Sequence, residues 1–124
     1  MTAYHAIVVE HFRRPRNRGA LEGANADAEG ANPLCGDRIR VQLRVADGAI
    51  AEARFTADAC ALCIASASVL TEHVRGMPLG EASAVDISWI HTALEGVPPP
   101  ARSRCATLPL ETLRRAVRGF SKSS

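Results

Sequence analysis

Residues 38–45, RIRVQLRV, constrain the fold of this chain more than any other stretch. Ile39, Val41, Leu43 and Val45 alternate with Arg38, Arg40, Gln42 and Arg44. A period of two belongs to a β-strand with one buried face and one wet face. Ala46-Asp47-Gly48 follows as a tight turn, and AIAEARFTA then returns as a second, antiparallel strand. The rest of the chain must therefore cover one face of this hairpin with apolar side chains.

Most of the remainder reads as helix. Tyr4, Ile7, Val8 and His11 recur at helical spacing, which predicts an N-terminal helix ending before Pro15. The stretch 14–33 is rich in Pro, Asn and Gly and predicts turns and loop, with room for one short strand. From Ala61 to about Arg75 the pattern is helical, stopping at Gly76 before Met77-Pro78. Shorter helices are expected over Leu79–Ala84 and Asp86–Leu94. GVPPPARSRC (96–105) predicts a non-helical, extended segment, because prolines lack a donor and bias their predecessors away from helix. Leu110, Leu113, Val117 and Phe120 predict an amphipathic helix opening near Pro109. The expectation is a single α+β domain over residues 1–124: a small antiparallel sheet with helices packed on one face.

Hydrophobic residues make up 47% of the chain but aromatics only 4%, so the core must be built from Ala, Val, Leu and Ile. The net charge of +2, with both signs interspersed, gives no reason to expect nucleic acid or membrane as a partner. No apolar run reaches spanning length. The N-terminus lacks the basic lead and small-residue cleavage site of a signal peptide. A cytoplasmic location is the expectation, and there four cysteines point to metal or sulfur chemistry rather than to disulfides. The basic run Arg13, Arg14, Arg16 and Arg18 reads as a solvated face, with a docking surface as the sharper alternative.

Cys35 lies in NPLCGDRI, on a turn just before the best strand, with Asp37 two positions on. Such a turn can aim a thiolate and a carboxylate at one ion, or Asp37 can simply cap a backbone donor. Cys60 ends the second strand and opens the Ala/Ser-rich helix, where a helix N-terminus favours the thiolate. The start of one antiparallel strand and the end of its neighbour share one end of the sheet, so Cys35, Asp37 and Cys60 should be close in space. The proline segment could deliver Cys105 as a third thiolate. Three thiolates and a carboxylate suit zinc or a labile iron–sulfur cluster. Arg104 cannot be an ordinary ligand but could offset the negative charge. Cys63 completes a C-x-x-C with Cys60; it reads first as a small buried residue and second as a ligand or resolving thiol. A dithiol oxidoreductase built on that pair lacks a thioredoxin-like context and leaves Cys35, Asp37 and Cys105 unexplained.

Taken together, these motifs resemble the U-type iron–sulfur cluster assembly scaffold family (IscU, SufU and the NifU N-terminal domain). AYHAIVVEHFRRPRNRG resembles its opening helix and turn, NPLCGDRI its first-ligand loop, ARFTADACALCIASASVLTEHVRG its second-cysteine helix and RCATL its third-cysteine loop. The resemblance covers nearly the whole chain and implies a three-stranded sheet with the metal site at one end. It implies Cys35, Asp37, Cys60 and Cys105 as ligands of a transient 2Fe-2S cluster or of Zn2+. It also implies sulfur supply from a cysteine desulfurase, transfer to apo iron–sulfur proteins or carriers, and Cys60 or Cys105 as persulfide acceptor if zinc is the resident ion. Arg104 in place of the Isc-branch His looks like SufU, yet the insertion common in SufU between the second and third cysteines is missing. Pro98-Pro99-Pro100-Ala101-Arg102 replaces the Leu-Pro-Pro-Val-Lys chaperone segment, which argues against hand-off to an Hsp70-type chaperone. Ala59 stands for a usual Gly and Cys63 for Ser or Ala, so the chain sits between branches.

Overall fold

The computed structural model describes residues 5–123. The hairpin forms as its alternation requires. Strand β2 (Asp37–Ala46) pairs antiparallel with β3 (Ala49–Asp58), from Arg38↔Asp58 to Ala46↔Ala49, with a register shift between Arg44 and Val45. Asp47 and Gly48 make the turn at φ 54° and 75°, the left-handed pair that matches strand twist in a two-residue hairpin.

A third strand, β1 (Ala26–Asn32), pairs antiparallel with β2 from Ala26↔Leu43 to Asn32↔Asp37, giving the sheet order β1-β2-β3. The sequence left room for a short strand here, and the structure makes it seven residues long. Its Ala, Asp, Glu, Gly and Asn residues carry almost no strand propensity. Pairing and a covering helix make the strand instead.

Helix α1 (Ala6–Arg13) ends before Pro15 as expected, while Tyr4 lies outside the described residues. Helix α2 (Ala61–Val74) is buried continuously from Leu62 to Thr71, which is why its Ala and Ser residues show no polar face. Gly76 at φ 84° follows its end. Helices α3 (Leu79–Ala84) and α4 (Ile87–Ala93) are short, and Asp86 Oδ1 accepts from Trp89 N–H at 2.9 Å to cap the latter.

The last helix corrects the sequence reading. A 3-10 turn at Pro100–Arg102 leads directly into α5 (Ser103–Ser123), so Cys105 lies in a helix and Pro109 inside it. Pro109 removes one backbone hydrogen bond, at a cost of about 3 kcal/mol in a helix interior. The apolar stripe running from Cys105 and Ala106 through Leu110 and Leu113 to Ala116 and Val117 is buried and offsets that cost. Helix α5 crosses β1 so closely that a Cβ on Gly30 would collide with Thr112 Oγ1.

Phe55, Leu43, Ile50, Leu70, Ile90, Leu94, Leu110 and Leu113 centre the core between the helices and one face of the sheet. The other face carries Arg–carboxylate pairs, Arg40 with Asp27 at 2.6 Å and Arg44 with Glu52 at 3.1 Å. Among the described residues, no helix is long and apolar enough to cross a membrane.

Candidate metal centre

The two antiparallel pairings bring the site residues to one end of the sheet. Asn32↔Asp37 closes β1 onto β2 around the turn bearing Cys35, while Asp58, opposite Arg38, leads into Cys60. Gly36, at φ 74°, supplies the backbone conformation that this turn needs.

Asp37 is the buried anchor, 2% exposed. Its Oδ1 accepts from the Cys60 N–H at 2.9 Å, and its Oδ2 lies 3.8 Å from Cys60 Sγ. Cys60 is the N-cap of α2, so the carboxylate also sits at the positive end of that helix. Cys35 is exposed, whereas Cys105 is fully buried, and their sulfurs are 3.5 Å apart. Cys35, Asp37 and Cys105 can bring one ligand atom each within 4.8 Å of one another. Cys60 joins this group through Asp37.

Two of these separations are close to those between ligands that share one ion. Two thiolates bound at about 2.3 Å to one zinc lie about 3.8 Å apart, and a thiolate–carboxylate pair about 3.5 Å apart. The Cys35–Cys105 and Cys60–Asp37 pairs, at 3.5 Å and 3.8 Å, are each close to such a pair, while Cys60 stands outside the compact group of Cys35, Asp37 and Cys105. Sulfur and carboxylate donors together suit zinc or iron.

The Cys105 thiol is pushed well up from its ordinary range, first by burial and then by hydrogen bonds with Asp37, Cys35 and Cys60. Burial pushes Cys63 up as well, helped by the charges of Asp37, Cys60 and Cys35. Cys63 sits fully buried in the core, consistent with its reading as a packing residue. Arg104 is exposed and takes part in none of the ion pairs among the described residues.

Two contributors escaped the sequence reading. Ser66 Oγ donates to the Ala106 carbonyl at 2.5 Å, tying α2 to the first turns of α5 beside Cys105. Asn32 Nδ2 donates to Cys35 Sγ at 3.1 Å. Asn three residues before a turn cysteine was the available signal for the second, and nothing local marked the first.

The fold and this site define a small α+β domain with three thiols and a buried carboxylate gathered at one end of an antiparallel sheet. Residues 3–124 match the family model described as the NifU-like N-terminal domain, and the chain belongs to that family. It is 38% identical to the bifunctional protein NifU/MnmA of Rubrobacter xylanophilus over 94% of this chain and 24% of that protein, so it spans about a quarter of that relative. It is 37% identical to the iron–sulfur cluster assembly scaffold protein IscU of Aquifex aeolicus, covering 94% of this chain and 75% of that one. The zinc-dependent sulfurtransferase SufU of Bacillus subtilis is 31% identical, with 94% and 90% covered. The crystal structure of a NifU-like N-terminal protein from Brucella abortus shares the fold, with a TM-score of 0.79, 21% identity, and 97% and 95% covered.

Proposed function

We propose that this protein is an iron–sulfur cluster assembly scaffold. It holds a labile 2Fe-2S cluster as cargo on Cys35, Cys60 and Cys105, with Asp37 as the exchangeable fourth ligand. The observation that carries this reading is the pair of opposed contacts at one sheet end, Cys35–Cys105 at 3.5 Å and Cys60–Asp37 at 3.8 Å. The scaffold names of relatives such as the Aquifex protein support it. In this reading a cysteine desulfurase supplies sulfur, and apo iron–sulfur proteins or carriers receive the cluster. A carboxylate is a harder ligand than thiolate and binds iron less firmly in such a set, which suits release. The exposed Cys35 turn is the route by which cargo enters and leaves, and Arg104, exposed and next to Cys105 in the chain, is the cation this reading expects to offset charge once cargo is bound. Anaerobic reconstitution with iron, sulfide and a desulfurase should give thiolate-to-iron absorption that Cys35→Ala loses. A wild-type protein that never acquires that absorption refutes the reading.

A second reading, a zinc-dependent sulfurtransferase, uses the same donors. Three ligand atoms within 4.8 Å of one another suit a single ion better than a binuclear cluster, whose two ligand pairs lie further apart. The likeness to the Bacillus sulfurtransferase supports it too. Zinc, when bound, would organise the thiols. The acceptor thiolate, Cys60 or Cys105, attacks the outer sulfur of the donor persulfide. A new S–S bond forms as the donor's S–S bond breaks, and the donor cysteine leaves as thiolate. Cys60 is the more accessible of the two. Stoichiometric zinc that resists displacement by iron in the purified protein favours this reading, and a zinc-free protein sinks it.

A further inference from the structure

Asn32, the last residue of β1, is 2% exposed, and its carbonyl and side-chain amide are turned to the loop that carries Cys35. Its main-chain carbonyl accepts from the N–H groups of Cys35 at 3.2 Å and Gly36 at 2.9 Å. Its side-chain Oδ1 accepts from Leu34 N–H at 3.2 Å, and its Nδ2 donates to Cys35 Sγ at 3.1 Å. One buried residue thus collects three consecutive loop amides and the sulfur. The amide has one orientation only: with Oδ1 facing an N–H, the NH2 end must face the sulfur.

This arrangement answers a difficulty posed by the turn itself. Leu34 is 86% exposed and Cys35 is exposed, so packing does little to fix where the sulfur points. Among the described residues, the hydrogen-bond partners of that sulfur are the Asn32 amide and Cys105 Sγ. An N–H donor also withdraws negative charge from a thiolate, in a set where every ligand is anionic. Arg104, the residue expected to balance that charge, makes no ion pair among the described residues. The neutral amide is already in place.

We infer that Asn32 is a positioning residue of the metal centre, whose buried side-chain amide aims the Cys35 sulfur at Cys105 and keeps its N–H···S hydrogen bond when that sulfur is a ligand. The inference rests on the reading above that Cys35 binds metal. It goes beyond that reading by assigning part of the site's affinity and electronic tuning to a residue that touches no metal. Outer-shell partners of this kind typically change metal affinity by about 10–100-fold.

The test compares wild type, Asn32→Asp and Asn32→Ala. Asp keeps the size and an acceptor for Leu34 N–H but loses the donor to sulfur; Ala loses both without adding charge. Zinc affinity is read by chelator competition, and the thiolate-to-metal charge-transfer band by cobalt(II) substitution, with circular dichroism checking the fold. Both variants should bind zinc about 10–100-fold more weakly. Their cobalt band should move to longer wavelength, because a sulfur without its hydrogen bond gives up charge more easily. Wild-type affinity and an unmoved band in both folded variants would overturn the inference and leave the scaffold reading standing. A wild type that takes up neither zinc nor cobalt would overturn both. If neither variant folds, wild type loaded with the NMR-active cadmium isotope decides. Scalar coupling from the Asn32 side-chain amide protons to cadmium supports the hydrogen bond. Coupling seen from the Cys35 β-protons but not from that amide refutes it.

Discussion

The Cys60 N–H donates to Asp37 Oδ1 at 2.9 Å, so one buried carboxylate both caps the start of α2 and stands beside the thiol that opens it. Asp37 therefore has a structural duty that does not depend on metal. Asp37→Ala leaves the Cys60 donor without its partner, at a cost of about 1–3 kcal/mol. Asp37→Asn keeps an oxygen acceptor and should lose less. Urea unfolding of the metal-free proteins measures the difference. Equal stability of the two variants would mean that this hydrogen bond does not hold the helix start.

Cys63 is one helical turn beyond Cys60, yet it is fully buried among core residues and outside the compact Cys35, Asp37 and Cys105 group. Cys63→Ser should leave metal stoichiometry nearly intact while lowering stability by about 1–2 kcal/mol, since a hydroxyl replaces a sulfur in an apolar setting. Metal analysis with thermal melts checks both halves. A strong loss of metal would show that the two cysteines act as a pair.

The hairpin was legible because Ile39 to Val45 alternate cleanly, and its register alone places Cys35, Asp37 and Cys60 at one end. Strand β1 was barely visible, since Ala, Asp and Gly become a strand only through pairing with β2 and cover from α5. The start of α5 was misplaced because prolines 98–100 and 109 argue locally against helix. The buried stripe that begins at Cys105 outweighs them. Cys105 consequently arrives on a rigid helix rather than on an extended arm. Asn32 went unnoticed because its role depends on four hydrogen bonds that exist only once the turn has closed.

Gly30 is where β1 lets α5 approach. A Cβ there would meet Thr112 Oγ1, with Leu108 Cδ1 and an Arg115 nitrogen each at 3.1 Å. Thr112 is buried and bonded to the Leu108 carbonyl at 2.8 Å, so it cannot simply swing away. Gly30→Ala should destabilise by about 1–3 kcal/mol, the usual cost of overpacking. It should also loosen the site, because the same helix carries Cys105. Urea midpoints and zinc affinity measured on one preparation would show both effects; an unchanged midpoint would mean that α5 packs less tightly than this contact requires.

His11 ties α1 to α2 through a contact of 2.7 Å between its Nδ1 and Ser68 Oγ, and that oxygen also accepts the Arg16 N–H at 2.8 Å. Burial lowers the His11 pKa, and nearby Arg16 lowers it further, against smaller upward pulls from Glu72 and Glu10. The folded state therefore prefers the neutral ring, and the unfolded chain binds the proton more tightly. Stability from this group is fully present above the unfolded value of 6.5 and falls as pH drops below it toward the lowered folded value. Burial lowers His73 as well, so it adds a fall of the same sign. Metal-free wild type should lose stability between about pH 7 and 5, and His11→Gln should flatten that loss, leaving the slope that His73 contributes. Urea denaturation across the range is the measurement. A variant as steep as wild type would mean that protonation of His11 does not oppose the docking of α1 on α2.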